Sequence, residues 1–347
     1  MTAPDYLAVP PARQAAIHQL APYWSAGSTV ALSTHINADG DGCGSETALA
    51  RMLMARGLTV RIVNPTPWPA LFAHLLGDDV DDQSPQGAAA LAGIDALVVL
   101  DINDVSRLGV LADAVRALTV PRLVVDHHVP SNDPAGQVVF SDTTACATGE
   151  LVFDIAQVLG FEITPAIATS IYTAILTDTG GFRFSNTSSR AHAIAAQLMA
   201  TGVDPEETYR RIYASSPVGR VRLLAEVLQS LGVDESVGLA WLSMRAGALA
   251  DYGVRQEDLD GIVEHARSIV GTRLAIFFRD LGHGRVKASF RSTGSFDVNA
   301  FARLYGGGGH KRASGALIPG SMDEVRDRVL AEARQQLAAL GKAPAHP

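Results

Sequence analysis

His35, Asp39 and Asp41 crowd into one short segment, Ser33-Thr34-His35-Ile36-Asn37-Ala38-Asp39-Gly40-Asp41-Gly42-Cys43-Gly44-Ser45. One imidazole and two carboxylates are hard or borderline donors, better suited to Mn²⁺ or Mg²⁺ than to a structural zinc. More such groups stand where apolar runs stop. Asp101 follows the run 96–100, Asp126-His127-His128 follow 123–125, and Asp178 precedes Gly180-Gly181. Each signal alone is compatible with an ordinary polar turn. Together, His35, Asp39, Asp41, Asp101, His127 and Asp178 would set four carboxylates in one crevice. Like charges at that density take up protons unless cations neutralise them, and two divalent ions about 3.5–4 Å apart are a phosphoryl-transfer arrangement. The chemistry implied is phosphoester hydrolysis by in-line attack.

The elements that would position these residues alternate. Strands are expected over 30–32, 58–63, 95–100 and 122–125, and helices over 11–20, 46–55, 105–118, 148–160, 165–176 and 191–200. Glycines at 40, 42 and 44 argue against helix before Glu46, which leaves His35, Asp39 and Asp41 in a loop. Asp104 is read as a helix N-cap. Strands separated by helices predict an α/β domain with a parallel sheet covered on both faces, and ligands there bind at the carboxyl ends of the strands.

From about residue 236 the pattern changes to a smaller α/β block with a mixed sheet. Strands are expected over 237–243, 273–278 and 286–291, and helices over 256–267, 298–304 and 322–340. Residues 1–190 are thus a first domain, 191–235 a helical connector and 236–347 a second domain. Between Arg267 and Arg312 nine basic residues face only Asp280 and Asp297, so this block is locally basic. It carries Gly306-Gly307-Gly308-Gly309-His310, whose successive N–H groups could form an anion-binding nest.

Composition narrows the field. At 347 residues, 47% hydrophobic and 18% charged, the chain is ordinary globular material and long for one core. No apolar run can span a bilayer and no basic-then-apolar leader opens the chain, so a cytoplasmic protein without membrane association is expected. Cys43 and Cys146 are too few for a disulfide framework. A net charge of −8 disfavours broad attachment to long nucleic acid, so a phosphorylated substrate should be small or end-bound.

The order His-x-Asn-x-Asp-Gly-Asp-x-x-Gly-Ser, then Asp101, Asp126-His127-His128, Asp178 and finally Gly-Gly-Gly-Gly-His resembles the DHH phosphoesterase superfamily over nearly the whole chain. Its last motif is similar to the DHH-associated domain of RecJ-like exonucleases and nanoRNases. The resemblance implies one metal on His35, Asp39 and Asp101 and a second on Asp41, Asp101, His127 and Asp178, with Asp101 bridging; Mn²⁺ is the usual ion, with Mg²⁺ or Co²⁺ as alternatives. It places His128 against the substrate phosphate and Asp126 behind it as an orienting group. Arg291, His310, Asn299 and Gly307, Gly308 and Gly309 would hold the far end of the substrate. The one departure is Ala38, where relatives commonly carry proline, and it removes no ligand.

Stand-alone members of this kind degrade short RNA oligonucleotides to nucleoside monophosphates and remove the 3′-phosphate of adenosine 3′,5′-bisphosphate (pAp). A cyclic di-AMP or linear dinucleotide phosphodiesterase would use the same site, and a non-catalytic nucleotide-binding module would keep the fold. The sequence leaves the oligomeric state, including a homodimer, open.

Overall fold

The computed structural model describes residues 5–259 and 261–341, with only the backbone of Glu257 and His310. The chain divides into two compact units between Ser215 and Ser216.

The first unit is built on six parallel strands: β1 (Thr29–Ser33), β2 (Thr59–Ile62), β3 (Asp81–Asp82), β4 (Ala96–Leu100), β5 (Arg122–Asp126) and β6 (Val138–Ser141). Their order is β3-β2-β1-β4-β5-β6. The helices are α1 (Pro11–Leu20), α2 (Gly40–Ala55), α3 (Ala73–Leu76), α4 (Ala112–Ala117), α5 (Thr148–Leu159), α6 (Pro165–Asp178), α7 (Ser189–Ala200) and α8 (Pro205–Tyr213). Strand residues alternate between two cores. Val30, Leu32, Val98 and Val125 pack under α1, α2, α5, α6 and α7, while Ala31, Leu97, Val99 and Val124 pack under α4 and short 3₁₀ turns. The strand order reverses between β1 and β4, the position where such sheets open a crevice at their carboxyl ends. His35 follows β1 and Asp101 follows β4, so both stand at that reversal.

Two local expectations change. Helix α2 begins at Gly40, not Glu46, and Asp39 is its N-cap, accepting from the N–H groups of Asp41 and Gly42. The glycines there serve close approach rather than flexibility: a Cβ at Gly40 would lie 2.4 Å from Thr177 Cγ2, and one at Gly44 would lie 2.4 Å from the Ser170 carbonyl oxygen of α6. The stretch 105–118 is not one helix. Asp104 does cap its start, accepting from Ser106 N–H, but Gly109 at φ +52° breaks it into a 3₁₀ turn and α4. A Cβ at Gly109 would meet Ile36 Cδ1 at 2.6 Å, so the break makes room for the loop after β1.

The second unit holds α9 (Val218–Gln229), β7 (Gly232–Asp234), β8 (Leu239–Met244), α10 (Ala248–Tyr252), α11 (Ile262–Arg267), β9 (Leu274–Asp280), β10 (Arg285–Ser292), α12 (Val298–Arg303), β11 (Gly308–His310), β12 (Ala313–Pro319) and α13 (Met322–Ala339). Its sheet runs β11-β12-β10-β9-β8-β7 and is mixed, with only β8 and β9 parallel. Helices α12 and α13 cover one face and α9, α10 and α11 the other. The stretch 191–235, expected as a connector, is shared out: Ala191, Ile194 and Leu198 of α7 lie in the first core, and Leu223 and Val227 of α9 lie in the second. Among the described residues no helix is long and apolar enough to cross a membrane.

Candidate metal centre

Asp101 is the hub of the first unit's polar crevice. It is buried and sits at φ +63°, in the left-handed region that Asp tolerates better than most residues. Its N–H donates to Val125 O, which ties the turn to the neighbouring strand. Asp101 Oδ2 lies 3.3 Å from His35 Nε2. Its Oδ1 lies 3.6 Å from His127 Nε2 and accepts from Thr148 Oγ1 at 3.0 Å. One oxygen therefore faces each imidazole.

Around it the ligand-type atoms fall into groups whose members all lie within 4.8 Å of one another: His35, Asp39 and Asp101; Asp41, His127 and Asp178; and Asp101, His127 and His128. The six residues singled out from the sequence do come together. The His35 and His127 imidazoles both present Nε2 to the crevice, because His35 Nδ1 bonds Ile36 O at 3.0 Å and His127 Nδ1 bonds Ala145 O at 3.2 Å. His127 Nε2 is buried without a hydrogen-bond partner among the described residues. It stands 3.6 Å from Asp41 Oδ2 and 3.7 Å from Asp178 Oδ2, too far for hydrogen bonds. An orphaned imidazole nitrogen ringed by carboxylates at non-bonding distance fits a divalent cation.

The electrostatics agree. Burial, followed by the charges of Asp101 and Asp178, pushes the Asp41 carboxyl well above its usual range. Burial, with Asp101 and Asp39 adding to it against the pull of His127, raises Asp178 to about 6. Asp178 is also the last residue of α6, where the helix dipole disfavours an anion. Burial would depress His35, but its interactions with Asp101 and Asp39 more than offset this and hold it at about 10.

Several residues that carry this arrangement have no motif signature. The N–H groups of Thr148 and Gly149, at the start of α5, donate to Asp41 at 2.7 and 2.9 Å. Asn186 Nδ2 reaches Asp178 Oδ2 at 3.2 Å and also the carbonyls of Asp178 and Cys146. Asn103 Nδ2 donates to Asp126 Oδ2 at 2.5 Å. Asn64 accepts from Thr34 N–H next to His35 and donates to buried Glu46 at 2.9 Å. Asp126 is fully buried and accepts from His128 Nδ1 at 2.7 Å, so the half-exposed His128 ring turns Nε2 outward. The hydrogen bond to Asp126 raises the His128 pKa above its ordinary value, against the opposing effect of burial.

In the second unit, Arg291 pairs with Ala313 and Ala313 with His310, so Arg291 and His310 share one row of the sheet. The His310 side chain lies outside the described residues. Arg291 Nη1 donates to Phe290 O, and its Nε stands 3.5 Å from Glu264. The glycine run does not offer the expected nest. Gly307 N–H donates to Ala302 O at 3.0 Å and Gly309 N–H to Asn299 Oδ1 at 3.1 Å, while Gly308 pairs with Gly315 in β11. Two of these glycines answer to crowding, since a Cβ at Gly307 would sit 2.2 Å from Gly315 O and one at Gly309 would sit 2.7 Å from Ala313 O. Asn299 accordingly holds the loop through Oδ1.

A family model described as DHH family, N-terminal domain, matches residues 29–175, and one described as DHHA1 domain matches residues 239–339. The chain is 33% identical over 313 residues to the bifunctional oligoribonuclease and PAP phosphatase NrnA of Thermus thermophilus, covering 89% of this chain and 90% of that protein. It is 29% identical over 309 residues to the protein of the same name from Bacillus subtilis, covering 88% and 93%. Among solved structures it is similar to an exopolyphosphatase-related protein from Bacteroides fragilis, with a TM-score of 0.85 at 26% identity, covering 94% of this chain and 98% of that one. It also shares the fold of RecJ from Thermus thermophilus, determined with Mn²⁺, at a TM-score of 0.53 and 15% identity, covering 97% of this chain and 56% of that one. Crevice, domain pair and relatives agree: the chain belongs to the DHH family and is a phosphoesterase, a hydrolase.

Proposed function

We propose that this phosphoesterase hydrolyses short oligoribonucleotides to nucleoside monophosphates and pAp to AMP, with two divalent cations and Mn²⁺ as the preferred one. The observation that carries the reading is Asp101, whose two oxygens face two separate imidazole–carboxylate groups. The names of the relatives that match over most of their length supply the substrate class.

In this reading His35, Asp39 and Asp101 hold one ion, and Asp41, Asp101, His127 and Asp178 hold the other. Bound there, the pair would supply charge neutralisation, polarisation of the phosphoryl oxygens and activation of water. The chain's own groups do the rest. His128, oriented by Asp126, whose hydrogen bond favours the protonated ring, donates through Nε2 to a phosphoryl oxygen or to the leaving oxygen. Thr148 and Gly149 fix the Asp41 carboxylate, and Asn186 fixes that of Asp178, so the ligands need no rearrangement when the substrate arrives. The second unit is the substrate-binding domain: Arg291 and His310 bind the far phosphate or base, and Asn299 with Gly307, Gly308 and Gly309 shapes that wall.

Purified protein loaded with Mn²⁺ should release mononucleotides from a di- to pentaribonucleotide series and AMP from pAp. No turnover of any of these overturns the reading. A higher kcat/KM for cyclic di-AMP than for pApA would reassign the same site to a cyclic-dinucleotide phosphodiesterase.

A further inference from the structure

Helix α1 carries no motif, yet its Arg13 is 4% exposed and forms the centre of a buried ion cluster. Arg13 Nε donates to Asp142 Oδ2 at 2.6 Å, and Nη1 donates to Glu150 Oε1 at 2.7 Å and Asp154 Oδ2 at 2.8 Å. Asp142 and Glu150 bracket residues 142–150, the segment that joins β6 to α5. Inside the segment Asp142 Oδ1 accepts from Thr144 N–H and Oγ1, and Glu150 Oε2 accepts from Cys146 N–H. Both ends are thus fastened to one guanidinium.

The same segment supports four of the candidate ligands. Ala145 O holds the His127 ring. Cys146 O holds Asn186, which holds Asp178. Thr148 and Gly149 hold Asp41, and Thr148 Oγ1 holds Asp101. Arg190 of α7 backs the cluster, bonding Asp154, approaching Glu150 at 3.3 Å and donating to the carbonyls of Tyr6 and Ala8.

We infer that Arg13 is a positioning residue of the metal centre: its planar fork sets the shape of residues 142–150, and that shape sets where Asp41, Asp101, His127 and Asp178 point. The inference rests on the reading of those four as metal ligands. A guanidinium can serve several carboxylates at fixed angles, whereas an ammonium is a point charge that cannot bridge them in the same plane. Arg13→Lys therefore keeps the buried charge and loses the geometry.

The test is Mn²⁺ binding to chelator-treated full-length protein, followed by the loss of the free-ion EPR signal, with circular dichroism and thermal unfolding measured alongside. Arg51→Lys is the control, because Arg51 is also fastened to an acid, Asp79, to the carbonyls of Leu75 and Leu76 and, at 3.4 Å, to Ser170 Oγ, but to nothing in residues 142–150. Arg13→Lys should raise the Kd for Mn²⁺ about 10- to 100-fold with its dichroism unchanged, and Arg51→Lys should leave it within about 2-fold of the parent. Wild-type affinity in Arg13→Lys, or an equal loss in both variants, overturns the inference. Should Arg13→Lys not fold, Asp142→Asn cuts only the outer arm of the clamp, and unchanged affinity there overturns it too. Failure of the unaltered protein to bind Mn²⁺ would refute the metal reading itself, a separate outcome.

Discussion

Asn186 grips Asp178 twice, donating from Nδ2 to its carboxylate at 3.2 Å and to its carbonyl at 3.1 Å. The carboxylate it steadies sits at a helix C-terminus and is raised to about 6 by burial and by Asp101 and Asp39. Replacing Asn186 by Ala should free that side chain to swing. The expected result is about a 10-fold weaker affinity for one of two Mn²⁺ ions, resolved as the weaker step of a two-site calorimetric titration, with the other step unchanged.

Asp101→Ala removes an oxygen from both ligand groups at once. Metal content after desalting should fall for both ions, and kcat should drop by roughly 10³-fold or more. The metal-free variant should unfold earlier than the metal-free parent, because alanine is strained at φ +63° and the contacts of Asp101 with Thr148 and His35 are lost. Elemental analysis, steady-state kinetics and calorimetry of the two chelated proteins check the three statements.

Glu46 gives a pH signature of stability. It is fully buried, one oxygen accepts from Asn64, the other has no partner among the described residues, and burial raises its pKa to about 8 from an ordinary 4.5. Below pH 4.5 it is protonated whether folded or unfolded and costs nothing. Between 4.5 and 8 the unfolded chain releases the proton first, so stability falls as pH rises, and above 8 the penalty is constant. Glu46→Gln should remove that slope in chelated protein and stabilise it by on the order of a few kcal/mol at most at high pH. Urea unfolding at a series of pH values should show the two stabilities diverging across that window.

Arg291→Ala tests the division of labour between the units. With the guanidinium gone, KM for pAp and for a diribonucleotide should rise about 10-fold or more, while kcat changes much less and metal content stays at the parent level. A loss of bound metal would contradict the assignment of Arg291 to substrate.

Much of the crevice was legible because its residues stand where apolar strands end. Runs such as Ala96–Leu100 are wholly buried, so the first acid after them must lie at the sheet's rim. Helix α1 was likewise legible over its full length, from the proline at its first position onward. What escaped depends on distant partners. Gly40 and Gly44 of α2 read as helix breakers because their reason, the Thr177 side chain and the Ser170 carbonyl of α6, lies far along the chain. Arg13 read as an ordinary helix residue because its carboxylate partners are 129 to 141 positions away. The glycine run at 306–309 suggested open amides, and only the sheet and Asn299 reveal where those amides go. Short edge strands such as Asp81–Asp82 and Gly308–His310 have compositions that no period-2 pattern marks.

The contact between Gly44 and the Ser170 carbonyl has a bearing on the chemistry. Asp41 rides on the first turn of one helix and Asp178 on the last turn of the other, so the distance between those two rods works as a gauge for the gap between the acids. Adding a single methyl at position 44 would wedge the rods apart and widen the gap between these acids, which share one cation in the proposed reading. Under that reading, selection on cation size acts through a residue that has no side chain.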